Sequence, residues 1–195
     1  MQLRIILIIA LLPSCHQPRC DEADYETDGL CVILNGEEPE QEQISYAVKR
    51  MGELFNNRGV GKHLDITSLL TREEASVKYM RGELQDDDGG ILMGETNNSN
   101  IDIMWNLVHD PEIDSSSNCR VHVMVLFHEI GHIVADYHME VSGSDYRNHE
   151  IPGLFMPESC GYGMNTADTA KCHENIEWDL WDSMYEWCTP ILFPR

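Results

Sequence analysis

His128-Glu129-Ile130-Gly131-His132, continuing through Ile133-Val134-Ala135-Asp136-Tyr137 to His138, is the stretch that decides how this chain is read. Residues four apart on a helix lie about 40° from one another around its axis, so His128 and His132 project from one face. Two imidazoles so placed suit a single zinc ion, and Glu129 between them suits a base that takes a proton from an attacking water. The surrounding residues carry the helical rhythm. Leu126, Ile130, Ile133, Val134 and Tyr137 mark a helix with one buried side, and Ser115, Ser116, Ser117 and Asn118 are N-cap candidates for its start. On an unbroken helix His138 would stand about 240° away from His132. It reaches the same ion only if the helix ends near residue 135 and the chain turns back.

This run resembles the long zinc signature HExxHxxGxxH of the metzincin peptidases, with Ala135 in the place of the glycine that makes the turn in that family. Downstream, Pro152-Gly153-Leu154-Phe155-Met156-Pro157 resembles the methionine turn of the matrixin branch, and Met164 is the runner-up for its methionine. The resemblance implies an α+β, two-lobed fold. Its parts would be a mixed twisted sheet with two helices above it and a small disulfide-rich C-terminal lobe ending in a helix. It further implies one catalytic Zn²⁺ held by His128, His132 and His138, with Glu129 as general base and Met156 as packing support. The substrate would be a peptide or protein, pairing as an extended chain with an edge strand formed by residues 101–107. Two alternatives stand beside it. In a gluzincin-like peptidase the third ligand would be Glu174 or Glu177 from the final helix. In a non-catalytic envelope protein the histidines would hold metal without turnover.

Residues 1–12 carry one positive charge, Arg4, and then the apolar run Ile5 to Leu12, too short to span a bilayer and of signal-peptide length. Leu12-Pro13-Ser14-Cys15 resembles a bacterial lipobox, whose cysteine becomes lipidated. The expected organisation is therefore a signal peptide, with a lipoprotein signal as one form, over 1–14. A polar tether follows over 15–28, and the catalytic domain spans 29–195. The protein is expected to be exported, either secreted or anchored in the cell envelope through Cys15.

Seven cysteines stand at 15, 20, 31, 119, 160, 172 and 188. If lipid consumes Cys15, the remaining six suffice for three disulfides, and the grouping of Cys160, Cys172 and Cys188 predicts a stapled C-terminal lobe. No Cys-x-x-Cys spacing supports a zinc–thiolate site. The formal charge is −21, and loss of residues 1–14, whose only charged residue is Arg4, makes it −22. So acidic a surface repels phosphate backbones and argues against nucleic-acid partners. Asp86-Asp87-Asp88-Gly89-Gly90 is a candidate calcium loop, read more readily as a solvated turn, and Asn97-Asn98-Ser99 is a glycosylation sequon. Pro18-Arg19-Cys20 has the look of a matrixin cysteine switch, but no pro-domain carries it, and it is read as coincidence.

Elsewhere the pattern predicts a buried strand over Leu30–Leu34 and a helix from Glu40 to Asn57 with apolar positions 44, 47, 48, 51, 54 and 55. Two weaker strands are expected around Leu64–Leu70 and Val77–Leu84, and a stronger one over Ile101–Val108. A glycine-rich irregular stretch should fill 142–172. The last helix is expected over about 173–188, with Ile176, Leu180, Met184 and Cys188 on one face.

Overall fold

The computed structural model describes residues 20–59, 62–85, 89–142, 154–155 and 175–189. It is a mixed α+β fold. Strands β1 (Tyr25–Thr27), β2 (Leu30–Ile33), β3 (Ser76–Met80), β6 (Gly94–Asn97) and β7 (Asn100–Met104) form one sheet in the order β1-β2-β3-β7-β6, and β4 (Leu84–Gln85) pairs with β5 (Ile91–Leu92) separately. Neighbours β2, β3 and β7 run parallel, while β1 and β6, at the two edges, run antiparallel to their partners. Because β2, β3 and β7 are paired on both sides, they carry the apolar side chains of the sheet, including Leu30, Val32, Val77, Tyr79, Ile101 and Ile103, all buried.

Helix α1 (Gln41–Arg58) buries Ile44, Ala47, Val48, Met51, Leu54 and Phe55, the stripe its periodicity predicts, and ends where Gly59 takes a left-handed φ of 64°. Helix α4 (Ser115–Ser142) packs on α1, on the edge strand β6 and on the final helix α5 (Ile176–Trp187). Ile176, Leu180, Met184 and Cys188 are buried, as the one-face pattern predicts.

Several expectations need correction. Leu64–Leu70 is not a strand. Helix α2 (Ile66–Arg72) occupies it, buries Ile66, Leu69 and Leu70 at helical spacing, and is capped by Asp65, whose carboxylate accepts from the Ser68 backbone N–H. Residues Trp105–Val108, expected to continue a strand, form the short helix α3. The supposed tether contributes strand β1, and a disulfide from Cys20 to Cys31 closes its hairpin with β2, so Cys20 offers no thiol for a switch. Asp114, one residue ahead of the serine run, accepts from the Ser117 backbone N–H at the start of α4.

The second disulfide joins Cys119 to Cys188, so it links α4 to the end of α5, and Cys188 is therefore not paired with Cys160 or Cys172. Two disulfides point to an oxidising environment. Among the described residues, no helix is long and apolar enough to cross a membrane. The signal and lipobox segment, the Asp86–Asp88 run, Met156, Met164, Cys160, Cys172 and Glu174 lie outside the described residues. The sequon falls at the β6–β7 turn, with Asn97 exposed.

Candidate metal centre

His128, Glu129 and His132 lie midway along α4, where the helix packs against α5 and against β6. His128 faces α5, and Glu129 faces the edge strand β6. The two imidazole rings stand with centroids 4.8 Å apart and planes at 86°. That separation matches the roughly 5 Å expected for two imidazoles meeting one tetrahedral ion at Zn–N distances of about 2.0–2.1 Å. The ring separation therefore allows one ion between the pair.

Phe155 closes the pair from below. Its ring centroid is 5.1 Å from that of His128 and 5.0 Å from that of His132. Gly131, the second variable position of the motif, is what lets the ring approach: a Cβ there would lie 2.8 Å from Phe155 Cε1. Phe155, from the stretch resembling a methionine turn, is thus buried beside the histidines, and Leu154 next to it is buried in the core.

Glu129 is only 5% exposed. Thr96 on β6 donates its hydroxyl to Glu129 Oε2 at 2.7 Å. Two residues earlier on the same strand face, Gly94 leaves room for the carboxylate: a Cβ there would come within 2.9 Å of Glu129 Oε1. Burial raises the Glu129 pKa above the usual carboxylate range, against the charge of His128 and the Thr96 hydrogen bond, which lower it, while Glu95 and Glu177 add to the rise. The position suits a base that must carry a proton near neutral pH.

His128 holds a partner that its sequence neighbourhood does not reveal. Its Nδ1 lies 2.7 Å from Glu177 Oε1, and Glu177 is 1% exposed in the first turn of α5. Burial works to lower the His128 pKa, but the Glu177 hydrogen bond and the charges of Glu177 and Glu129 outweigh it and leave it raised. Because Nδ1 and Nε2 lie on opposite edges of the imidazole, an oxygen bound at Nδ1 is behind the ring as seen from Nε2.

His138 is not brought to the pair. Helix α4 continues without a break to Ser142, so the turn expected near Ala135 is absent, and His138 stays about 240° around the axis from His132. Alanine at the hinge position is the best helix former and has no freedom to take the left-handed turn that glycine allows, so the helix runs on. Ala135 is fully buried within it. Among the described residues, no group of three or more His, Cys, Asp or Glu converges to hold a metal. A correction also applies to the substrate edge. Residues 100–104 form β7, an interior strand with β3 on one side and β6 on the other, and the sheet edge nearest Glu129 is β6.

A second polar site lies apart from the histidine pair. His122, fully buried on α4, donates from Nδ1 to Gln43 Oε1 at 2.6 Å and accepts at Nε2 from the Tyr79 hydroxyl at 2.8 Å. Burial keeps Tyr79 protonated, its pKa well above the ordinary value, and holds the His122 pKa down at about 3. Beside it, at the carboxyl ends of β2, β3 and β7, a cleft of about 460 Å³ is bordered by Glu37, Arg81, Trp105 and His109. The family models, the curated proteins and the solved structures include none that matches this chain.

Proposed function

We propose that this chain is an exported zinc-dependent endopeptidase of metzincin type, with His128 and His132 as zinc ligands and Glu129 as general base. The observation that carries this is the juxtaposition of two imidazoles 4.8 Å apart with a buried carboxylate on the same turn of the helix, facing an edge strand. When bound, zinc would polarise the scissile carbonyl and make water acidic enough to attack it. Glu129 takes the proton of that water and returns it to the leaving amine. Thr96 holds the Glu129 carboxylate against β6, and Phe155 walls the two imidazoles against movement and solvent from below. Strand β6, paired among the described residues with β7 alone, offers its outer edge to an extended peptide, which would then run past Glu129.

The third ligand in this proposal is His138. It reaches the pair only if the last turns of α4 unwind after Ala135 when metal binds, a change that metal–ligand binding energy can drive. The competing donors are Glu174 and Glu177. Alanine at each of the three positions, with bound zinc measured in each, identifies the ligand as the one whose loss depletes zinc as fully as His132→Ala does.

The test of the function itself is metal content of the purified mature protein and proteolysis with and without a chelator. Glu129→Gln should retain zinc and abolish hydrolysis. An unmodified protein that holds zinc and cleaves nothing in a broad peptide library would instead be a metal-containing binding module.

A further inference from the structure

Glu177 poses a problem of burial. A carboxylate that is 1% exposed costs several kcal/mol in lost hydration unless a polar or charged partner takes the place of water. His128 is one such partner, at 2.7 Å, 49 residues away in sequence. The contact is also held by architecture. Cys119 near the start of α4 is bonded to Cys188 at the end of α5, while His128 further along α4 meets Glu177 at the start of α5. The helices therefore run antiparallel. From the disulfide to the His128–Glu177 contact they rise nine residues along one and eleven along the other, about 14 Å and about 16 Å at 1.5 Å per residue. Helix α5 is tied to α4 at one end by a covalent bond and toward the other by this hydrogen bond, with buried Ile176, Leu180 and Met184 on α5.

Resting on the zinc reading above, we propose that Glu177 is a positioning residue for His128. Its carboxylate accepts the Nδ1–H proton, fixes that tautomer and turns Nε2 outward as the metal donor. Metal-bound histidines commonly carry such a carboxylate on the far nitrogen, which orients the ring and raises its basicity. The placement of Oε1 at Nδ1 separates this role from that of a ligand, since a ligand would share the metal with Nε2 instead of standing behind the ring.

Two measurements on the full mature chain test the assignment. The first is ¹⁵N NMR of the His128 imidazole in the metal-free protein, recorded over a rising pH series until its shifts stop changing. The second is zinc affinity by chelator competition. The wild type should show His128 with its proton on Nδ1. Glu177→Gln keeps an acceptor oxygen at the same place and should preserve that tautomer with a small loss of affinity. Glu177→Leu should shift the tautomer and weaken zinc about 10- to 100-fold. An unchanged tautomer and unchanged affinity in Glu177→Leu would overturn the assignment. So would a Glu177→Gln protein as depleted of zinc as His132→Ala, which would make Glu177 a ligand. A wild type whose tautomer depends on Glu177 but which takes up no zinc would support Glu177 as the residue that sets the His128 ring and would overturn the metal reading alone.

Discussion

Thr96 on the edge strand and Glu129 on the long helix are joined by a 2.7 Å hydrogen bond from the threonine hydroxyl to Oε2 of the carboxylate. The same strand face provides Gly94, whose missing side chain leaves the space that Glu129 and Val125 occupy. Strand β6 therefore positions the proposed base and is also the strand proposed to receive an extended substrate. Thr96→Val should lower kcat with little change in KM, because the hydroxyl acts through Glu129 and touches no substrate. Gly94→Ala should fold with a loss of about 1–3 kcal/mol from overpacking, and should also lower kcat by displacing the carboxylate. Peptide cleavage kinetics and urea unfolding of both variants check this pair. Unchanged kcat in both would leave β6 without a role in positioning Glu129.

Gly131 and Phe155 make the second prediction. A methyl group at 131 would meet the Phe155 ring at 2.8 Å, and Met51 Cε lies 3.5 Å away on the other side. Gly131→Ala gains helix propensity but must push a buried aromatic ring, and the second effect should win by about 1–3 kcal/mol. Phe155→Leu in the same chain should recover part of that loss. A double-mutant cycle read from denaturant midpoints measures the coupling, and additive losses would show that the two sites do not press on each other.

The Cys119–Cys188 disulfide spans 69 residues. Restricting so long a loop in the unfolded chain stabilises the fold by about 4 kcal/mol in the chain-entropy account. Cys119→Ser with Cys188→Ser should lower the thermal midpoint accordingly and weaken zinc binding, because α5 carries Glu177. If zinc affinity persists while stability drops, the hydrogen bond alone suffices to keep α5 in register.

Acid stability should follow His122. Its folded pKa of about 3 lies below the ordinary value, so the unfolded chain takes up a proton below about pH 6.5 while the folded chain does not until about pH 3. The contribution is fully present above pH 6.5 and is lost as pH falls through that window, by about 2 kcal/mol at pH 5. Replacing His122 with glutamine removes the titration, so its stability should fall less steeply between pH 6.5 and 3 than the wild type's. Equal slopes in urea unfolding across that range would contradict it.

How much of this was written in the sequence depends on the distance over which each feature is decided. Helix α1 and its six apolar positions, the zinc-motif helix and the face of α5 were all legible, because a 3.6-residue repeat is a local property of one segment. Leu64–Leu70 was misread because so short an apolar run reads equally as helix or strand, and the Asp65 cap with burial at 66, 69 and 70 settles it as helix. Strand β7 was found, but its place inside the sheet was not, since the order of strands is set by which chains pair and no residue in β7 names its neighbours.

The chemistry divides in the same way. His128, Glu129 and His132 share a helical turn, so their sequence spacing alone placed them together. Three other features rested on contacts that only the folded chain can make. They are the straight continuation of α4 past Ala135, the hold of Thr96 on Glu129, and the meeting of Glu177 with His128 across 49 residues. Local spacing constrains dihedral geometry along one element, whereas the partners of a buried carboxylate or imidazole are chosen by how separate elements pack. That packing is where this protein's candidate site was assembled.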